Sequence, residues 1–373
     1  MTRDVVFSFA TETLDDAVRR GFARPPDRLL RTLADEPGVS LVLAADPTRW
    51  FASRLRRPLP SGLPERVIRV RSWRLRRREA SDLDAVRRDV ARREHRLFRA
   101  ARRTGSDRPA VVSFDPLLAA FGDFDWCGPV TFYARDDWST FGPRRAWWPA
   151  YEEAYRTLRA RRRGIVAVSG PLLERLQPTG PAAVVPNGVE PAEWRAPAPP
   201  PAWCARLPRP LAVYAGTVDD RVDPDLVRAA ADVAGSVLLL GPTRGDTGAL
   251  FAHDRVHGAV AADRRELAAI VAGADVGLVP HRVTRLTEAM SPLKLYEYRA
   301  AGLPVASVDL PPVAHEAAAD DAIVCAPATP GDFAHAVSLA LERGRDPEPI
   351  RLSRLEELSW RGRHRRALEI VLR

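Results

Sequence analysis

Lysine is almost absent from this chain. Of its 57 basic residues only Lys294 is a lysine, and every other positive charge is carried by arginine. An ammonium is a compact point charge suited to one oxyanion, whereas a guanidinium is a planar fork, so the lone exception marks its neighbourhood for attention. Cysteine is scarce too. Cys127, Cys204 and Cys325 lie far apart with no CxxC or Cys/His spacing, which argues against a disulfide framework and a structural zinc site. A reducing cytoplasm is the expected home. No apolar run approaches the roughly 18 residues that span a bilayer. The chain enters a strand pattern at once, without the apolar core of a signal peptide. Short-period repeats and a low-complexity tail are also lacking.

What is present is the composition of a folded, water-compatible protein: 373 residues, 46% hydrophobic and 28% charged. That length suggests two domains. The formal charge of +9 favours anionic partners such as nucleotides or phospholipid surfaces, although an arginine-rich coding bias would produce much of it. Short apolar runs alternate with amphipathic stretches, the pattern of helices layered on parallel sheets. Strands are expected at 5–9, 40–44, 66–70, 110–114, 130–133, 165–168 and 183–185, then at 211–214, 236–240, 256–258, 276–279, 305–307 and 323–325. The stiff segment Ala196-Pro-Ala-Pro-Pro-Pro-Ala202 either connects two domains or opens the second. Open α/β sheets bind ligands beyond the carboxyl ends of their strands, so two of them would form a binding cleft.

The segment from Asp275 to Ser307 reads strand, polar loop, helix, glycine turn, strand. Met290-Ser291-Pro292 sits where the helix should begin, with proline where a missing N–H costs little. The exposed amides and positive dipole end of that first turn, from Leu293, suit a phosphate, and Lys294 adds a full charge. Glu297, one turn on, lies on nearly the same face, placed to accept hydrogen bonds from a ribose diol. Gly302 should end the helix and Pro304 open the next strand.

This stretch resembles the nucleotide-sugar motif of retaining GT-B glycosyltransferases of family 4 (glycosyltransferase group 1), in particular the bacterial envelope-polysaccharide branch similar to teichuronic-acid transferases. The shared run is Pro292-Leu-Lys-Leu-Tyr-Glu-Tyr-Arg-Ala-Ala-Gly-Leu-Pro-Val305. Val185-Pro-Asn-Gly-Val189, Val213-Tyr-Ala-Gly-Thr217, Leu238-Leu-Leu-Gly-Pro242, Val256-His-Gly-Ala-Val260, Ala272-Gly-Ala-Asp-Val276 and Ser359-Trp360 follow the family's order. In the first half the likeness is looser: Arg24-Pro-Pro-Asp-Arg28, Phe132-Tyr-Ala-Arg-Asp-Asp-Trp-Ser-Thr140 and Val166-Ala-Val-Ser-Gly-Pro-Leu172.

The resemblance implies an α/β GT-B fold, two Rossmann-like parallel-sheet domains facing a central cleft. Residues 1–190, completed by a C-terminal helix at 356–373, would bind the acceptor, and residues 191–355 the donor. It implies a metal-independent, retaining transfer of a sugar from a nucleoside diphosphate (UDP, GDP or dTDP) to a polysaccharide, lipid-linked or natural-product hydroxyl, with no cofactor. On the donor side it assigns Gly216, Thr217, Val260, Met290, Ser291, Pro292, Leu293 and Glu297. Lys294 and Arg221 would stabilise the leaving diphosphate. Arg28, Asp115 and Ser169 fall on the acceptor side. Two departures stand out. The family's glutamates are separated by seven residues, but eight before Glu297 is Ala289, with Glu288 one further. The first-domain histidine of many relatives has no counterpart beyond His95, which sits in a basic helix, so Asp115, Asp136 or Asp137 would take its place facing the cleft. Asp115 and Asp136 equally suit helix caps and turns.

Three other readings compete. One is a GT-B-like protein that binds nucleotide sugar or scaffolds an assembly without catalysis. Another uses the basic helices at 74–103 and 150–163 to bind nucleic acid, though no reader motif accompanies them. A separable option is docking of those helices at the inner face of the plasma membrane, with Trp73, Trp147 and Trp148 at the interface; a solvated arginine face is the plainer alternative. Carboxylates at hydrolase spacing are not identifiable.

Overall fold

The computed structural model describes residues 2–55 and 58–373, with the backbone alone at Arg54. The chain divides into two compact units, residues 1–186 with 363–373, and residues 187–362. In the first, β1 (Arg3–Ser8), β2 (Val39–Ala45), β4 (Val67–Val70), β6 (Ala110–Ser113), β7 (Val130–Ala134), β8 (Gly164–Ala167) and β9 (Ala182–Val184) form one sheet. Its order is β4-β2-β1-β6-β7-β8-β9, with every pairing parallel. A separate two-stranded pair, β3 (Arg49–Trp50) with β5 (Trp73–Arg74), lies outside this sheet and was not expected from the sequence. Two residues per strand give no periodicity to read.

The second unit repeats the plan. Strands β10 (Leu211–Ala215), β11 (Ser236–Leu240), β12 (Val256–Ala259), β13 (Val276–Val279), β14 (Val305–Val308) and β15 (Ile323–Ala326) run in the order β12-β11-β10-β13-β14-β15, all parallel. In both sheets the chain starts in the middle, winds one way, then returns to wind the other. That reversal, between β1 and β6 and between β10 and β13, is the switch point where doubly wound sheets leave a crevice. The central strands read as continuous apolar runs because helices cover both faces, and Val213, Val237, Leu238 and Val276 are fully buried.

All thirteen expected strands are present. The proline-rich segment at 196–202 belongs to the second unit, where Pro200 packs against Gly273. The basic helix expected from Arg74 begins only at Leu83, since Arg74 is a strand residue and Asp82 caps the helix through Ala85 N. The second basic helix runs Trp148–Ala160. In the last helix, Trp360–Val371, His364 lies in the first unit and bonds Thr32 Oγ1 through Nδ1 at 2.7 Å.

Candidate nucleotide-sugar site in the second unit

The helix that carries Lys294 runs Leu293–Ala300 with Pro292 at its N-cap, and it is fixed from behind by three side chains. Tyr298 passes under the switch point. Its hydroxyl accepts from Ala215 N of β10 at 2.7 Å and donates to Leu278 O of β13 at 3.3 Å, joining the strands where they diverge. Its ring occupies the space that a Cβ on Gly277 would fill, 2.3 Å from Cδ2. Arg299, almost fully buried, donates to Asp320 Oδ2 at 2.7 Å and to Asp346 Oδ2 at 2.6 Å. Tyr296 bonds Ser291 Oγ at 2.9 Å and donates to Glu316 at 3.1 Å. Gly302, at φ +73°, ends the helix, and Leu303 N returns to Tyr298 O.

Held this way, the first turn meets the loops that follow β10 and β13. Lys294 Nζ lies 4.5 Å from the centre of the Tyr214 ring, a cation–π contact, and 3.2 Å from His281 Nε2. A Cβ on Gly216 would sit 3.4 Å from Lys294 Cε, ordinary contact, so the lysine lies close along this loop. Gly216 has φ +138° and Gly241 φ +155°; a Cβ on Gly241 would come within 2.0 Å of Gly216 O, so neither glycine is replaceable without moving the loop. Thr217 supplies its carbonyl to the Tyr214 hydroxyl at 2.9 Å.

Arg221 makes a two-pronged pair with Asp219 at 2.8 and 2.7 Å. Its loop is tied to the one after β13, because Arg282 N donates to Arg221 O and Asp223 N to Pro280 O. The charges are finely balanced. Burial pulls the Lys294 pKa down to about 7, Arg221 adds to the fall, and Glu297 and Asp219 oppose it. His281 is fully buried and driven well below the ordinary histidine range by burial, Lys294 and Arg221, so it is neutral at physiological pH. Its Nε2 faces the lysine, and its Nδ1 has no partner among the described residues.

Ser291 is held at the entry to the helix. Asn187, from the Pro-Asn-Gly turn, donates Nδ2 to Ser291 O at 2.7 Å and its own N–H to Ser291 Oγ. Glu297 is buried, and its Oε1 accepts from Arg264 at 2.7 Å, while the same guanidinium grips Glu193 at 2.8 Å. The carboxylate that the sequence offers to a ribose is therefore already part of an ion triad. Met290 is buried, Glu288 lies on the short helix Arg285–Ala289, and Val260 is 67% exposed just past β12. His281, Arg264 and Glu193 were missed in the sequence. The signal for His281 was available: it follows the end of a central strand by two residues, across a proline. Arg264 and Glu193 carry no such local sign.

The first-unit candidates are each engaged by neighbouring groups. Asp115 caps the helix Pro116–Phe121 through Leu117 N and Leu118 N and pairs with Arg93 at 2.7 Å. Asp137 is buried, accepting from Ser139 and the Tyr155 hydroxyl. Asp136 pairs with Arg135. Ser169 caps the helix Gly170–Leu176, and Arg28 is buried on the helix Pro25–Asp35. Glu12 links two of the segments that carry the family likeness, accepting from Arg24 and Arg135 at 3.0 Å each. Burial would raise its pKa, but Arg135 and Arg24 outweigh that and hold it at about 2. Among the described residues no group of three or more His, Cys, Asp or Glu side chains converges as a metal set would.

Comparison with known proteins bears on the fold. A search of curated protein sequences finds no match. Several solved structures share the fold over nearly the whole chain. Sucrose-phosphate synthase from Thermosynechococcus elongatus superposes with a TM-score of 0.70 at 15% identity, covering 99% of this chain and 98% of its own. An α,α-trehalose-phosphate synthase (UDP-forming) from Burkholderia xenovorans, in complex with glucose-6-phosphate, gives 0.66 at 16%, covering 99% and 100%. A lipopolysaccharide outer core galactosyltransferase in its apo form gives 0.63 at 12%, covering 99% of each chain. The fold is GT-B. Residues 220–343 match the family of Glycosyl transferases group 1, so the second unit, which holds Lys294 and its surroundings, carries a domain of that kind.

Proposed function

We propose that this chain is a glycosyltransferase that moves a sugar from a nucleoside-diphosphate sugar to an acceptor hydroxyl, without a metal and with retention of anomeric configuration. The observation that carries the reading is Lys294. The chain's single lysine lies at a switch point, on the first turn of a helix, against a glycine loop, beside a neutral buried histidine.

In the proposed reaction the bond between the anomeric carbon and the β-phosphate oxygen breaks, and its electron pair stays on that oxygen. The acceptor oxygen bonds the anomeric carbon and gives up its proton. Negative charge thus grows on the diphosphate in the transition state. Lys294, the amides of Leu293 and Lys294 and the partly neutralised Arg221 are the donors that would meet it, already oriented before reaction. Gly216 and Gly241 let a phosphate approach the backbone. Glu297, with one oxygen on Arg264, would offer the other to the ribose, and the segment at Val260 would meet the base through its backbone.

Lys294→Ala is expected to lower turnover by about 10²-fold or more while the protein stays folded. The assay is transfer or donor hydrolysis across a panel of UDP-, GDP- and dTDP-sugars. Wild-type rates in that variant would remove the lysine from the mechanism. Nucleotide binding by the wild-type protein with no turnover of any donor would favour a binding or scaffold role instead.

The same reading places the protein in the cytoplasm with peripheral contact to an anionic lipid surface. The tryptophans expected at such an interface are engaged internally: Trp147 donates to Ala80 O, Trp148 to Phe141 O, and Trp73 stacks with Arg71. Support comes instead from Trp50, Phe51, Leu55 and Leu75, which are exposed beside the exposed run Arg76–Arg78.

A further inference from the structure

The two oxygens of Glu297 are not equivalent. Oε1 accepts from Arg264 Nη1 at 2.7 Å, and the side chain keeps only 6% exposure. Oε2 makes no hydrogen bond among the described residues, yet it is not closed off from solvent. One acceptor atom of this carboxylate is therefore committed before any ligand arrives, and the other is open.

Arg264 is not free to turn aside. Its Nε and Nη2 both donate to Glu193 Oε2, at 3.1 and 2.8 Å, so both edges of the guanidinium are in use. The guanidinium carbon lies 6.0 Å from the centre of the fully buried Trp194 ring. Burial alone would lower the Arg264 pKa, but Glu297 and Glu193 outweigh it and hold the group above the usual arginine range. Each anchor is fixed in turn. Arg264 opens the helix Arg264–Ala272, whose cap Asp263 accepts from Glu266 N at 2.9 Å. Glu193 lies on the short helix Pro191–Trp194, just past the turn at Asn187 that grips Ser291. To free Oε1, Arg264 would have to give up a charge-assisted bond to a buried carboxylate, and a neutral hydroxyl offers a weaker one in exchange.

A ribose presents two neighbouring hydroxyls where a 2′-deoxyribose keeps only one. When a buried carboxylate serves both with two otherwise empty oxygens, a deoxy ligand strands one oxygen without a donor, and selectivity comes from that loss. Here that oxygen already has its donor. The remaining hydroxyl goes to Oε2, Oε1 stays with Arg264, and nothing is stranded. We infer that Arg264 is a positioning residue that sets nucleotide choice. By holding one oxygen of Glu297 it makes the site indifferent to the 2′-hydroxyl, so donors built on 2′-deoxynucleoside diphosphates are taken as readily as ribonucleotide ones. The inference rests on the glycosyl-transfer reading for the contact between Glu297 and the nucleotide's pentose, and it adds the class of nucleotide.

The test is calorimetry on the full chain with three matched pairs: UDP against 2′-deoxy-UDP, GDP against 2′-deoxy-GDP, and 5-methyl-UDP against dTDP. Members of a pair share base and diphosphate and differ by one hydroxyl. In whichever pair binds, the wild-type dissociation constants are expected to agree within about threefold. Arg264→Leu uncovers Oε1, so the ribonucleotide should then bind about tenfold more tightly than its deoxy counterpart. A purely structural role for Arg264 would weaken both members alike; a ratio unchanged from wild type in that variant overturns the inference. So does a wild-type difference beyond about threefold in either direction. That measurement decides alone if the leucine variant does not fold, and the donor-site reading stands because nucleotide is bound. Failure of all six nucleotides to bind the wild-type chain sinks the donor-site reading, and this inference with it.

Discussion

Lys294 shows how one residue's surroundings set its chemistry. An exposed lysine keeps its proton far above physiological pH, but burial beside Arg221 brings this one to about 7. A diphosphate arriving against it favours the charged form and raises the pKa again. Near pH 8 the free protein holds this amine mostly neutral and the bound protein mostly charged, so nucleotide binding should take up close to one proton. Affinity should weaken as pH rises above about 7. Calorimetry at pH 8 in two buffers of different ionisation enthalpy measures the uptake directly; an identical heat in both would show that Lys294 does not meet the phosphates. The groups facing it are Arg221, Asp219, Glu297, His281 and Tyr214. Of these His281 is held neutral across this range, which leaves the lysine as the proton acceptor.

At the scale of elements, the helix Leu293–Ala300 is an anchored device more than a favourable helix. It has eight residues and no side-chain cap, too short to be stable alone. Its position is set by Tyr298 under the switch point and by Arg299 in the network of Asp320, Asp346 and Arg354. Removing Arg299 leaves the buried Asp320 and Asp346 to the partly exposed Arg354 and Arg343, at a cost of up to about 3–5 kcal/mol. Arg299→Ala should therefore lower the second unit's stability by about that amount in urea unfolding, and weaken nucleotide binding with it. Unchanged stability would mean that the helix is held by packing alone.

The helix Trp360–Val371 offers a second case in the first unit. Burial, with Arg28 adding to it, holds His364 at about 3, while Glu12 sits at about 2. Unfolded, these groups titrate near 6.5 and 4.5, so the unfolded chain binds more protons throughout the acid range. Stability of the first unit should fall as pH drops below about 6.5, and more steeply below about 4.5. Replacing His364 by Gln should flatten the slope of stability against pH between those two values, measured by chemical denaturation at each pH. A slope identical to wild type would mean that the histidine is not held neutral.

For the whole molecule, the formal charge of +9 is spread over arginines, many of them in ion pairs such as those of Arg69, Arg93, Arg264 and Arg299, so net charge alone says little about partners. The exposed apolar side chains around β3 and β5 are more specific. Binding to vesicles containing phosphatidylserine should be seen in co-sedimentation at low salt and be lost with neutral phosphatidylcholine. Leu55→Ser with Leu75→Ser should abolish it, because insertion depends on apolar area while charge only draws the surface close. Failure to pellet at low salt would dispose of membrane contact. Among the described residues no helix is long and apolar enough to cross a membrane.

What the sequence determined by itself was the layered α/β architecture and the helix that carries Lys294. Strands buried on both faces write themselves as short apolar runs, and a helix start marked by Ser-Pro before a lone lysine is a local pattern; neither needs distant residues to be recognised. Only the tertiary structure decided what those residues touch. Arg264 reaches Glu297 across 33 positions and Glu193 across 71, and His281 meets Lys294 because two loops happen to leave neighbouring strands. Periodicity records which side of an element is buried, but charge balance and pKa depend on Coulomb forces and desolvation between groups that only folding brings within a few ångströms of each other.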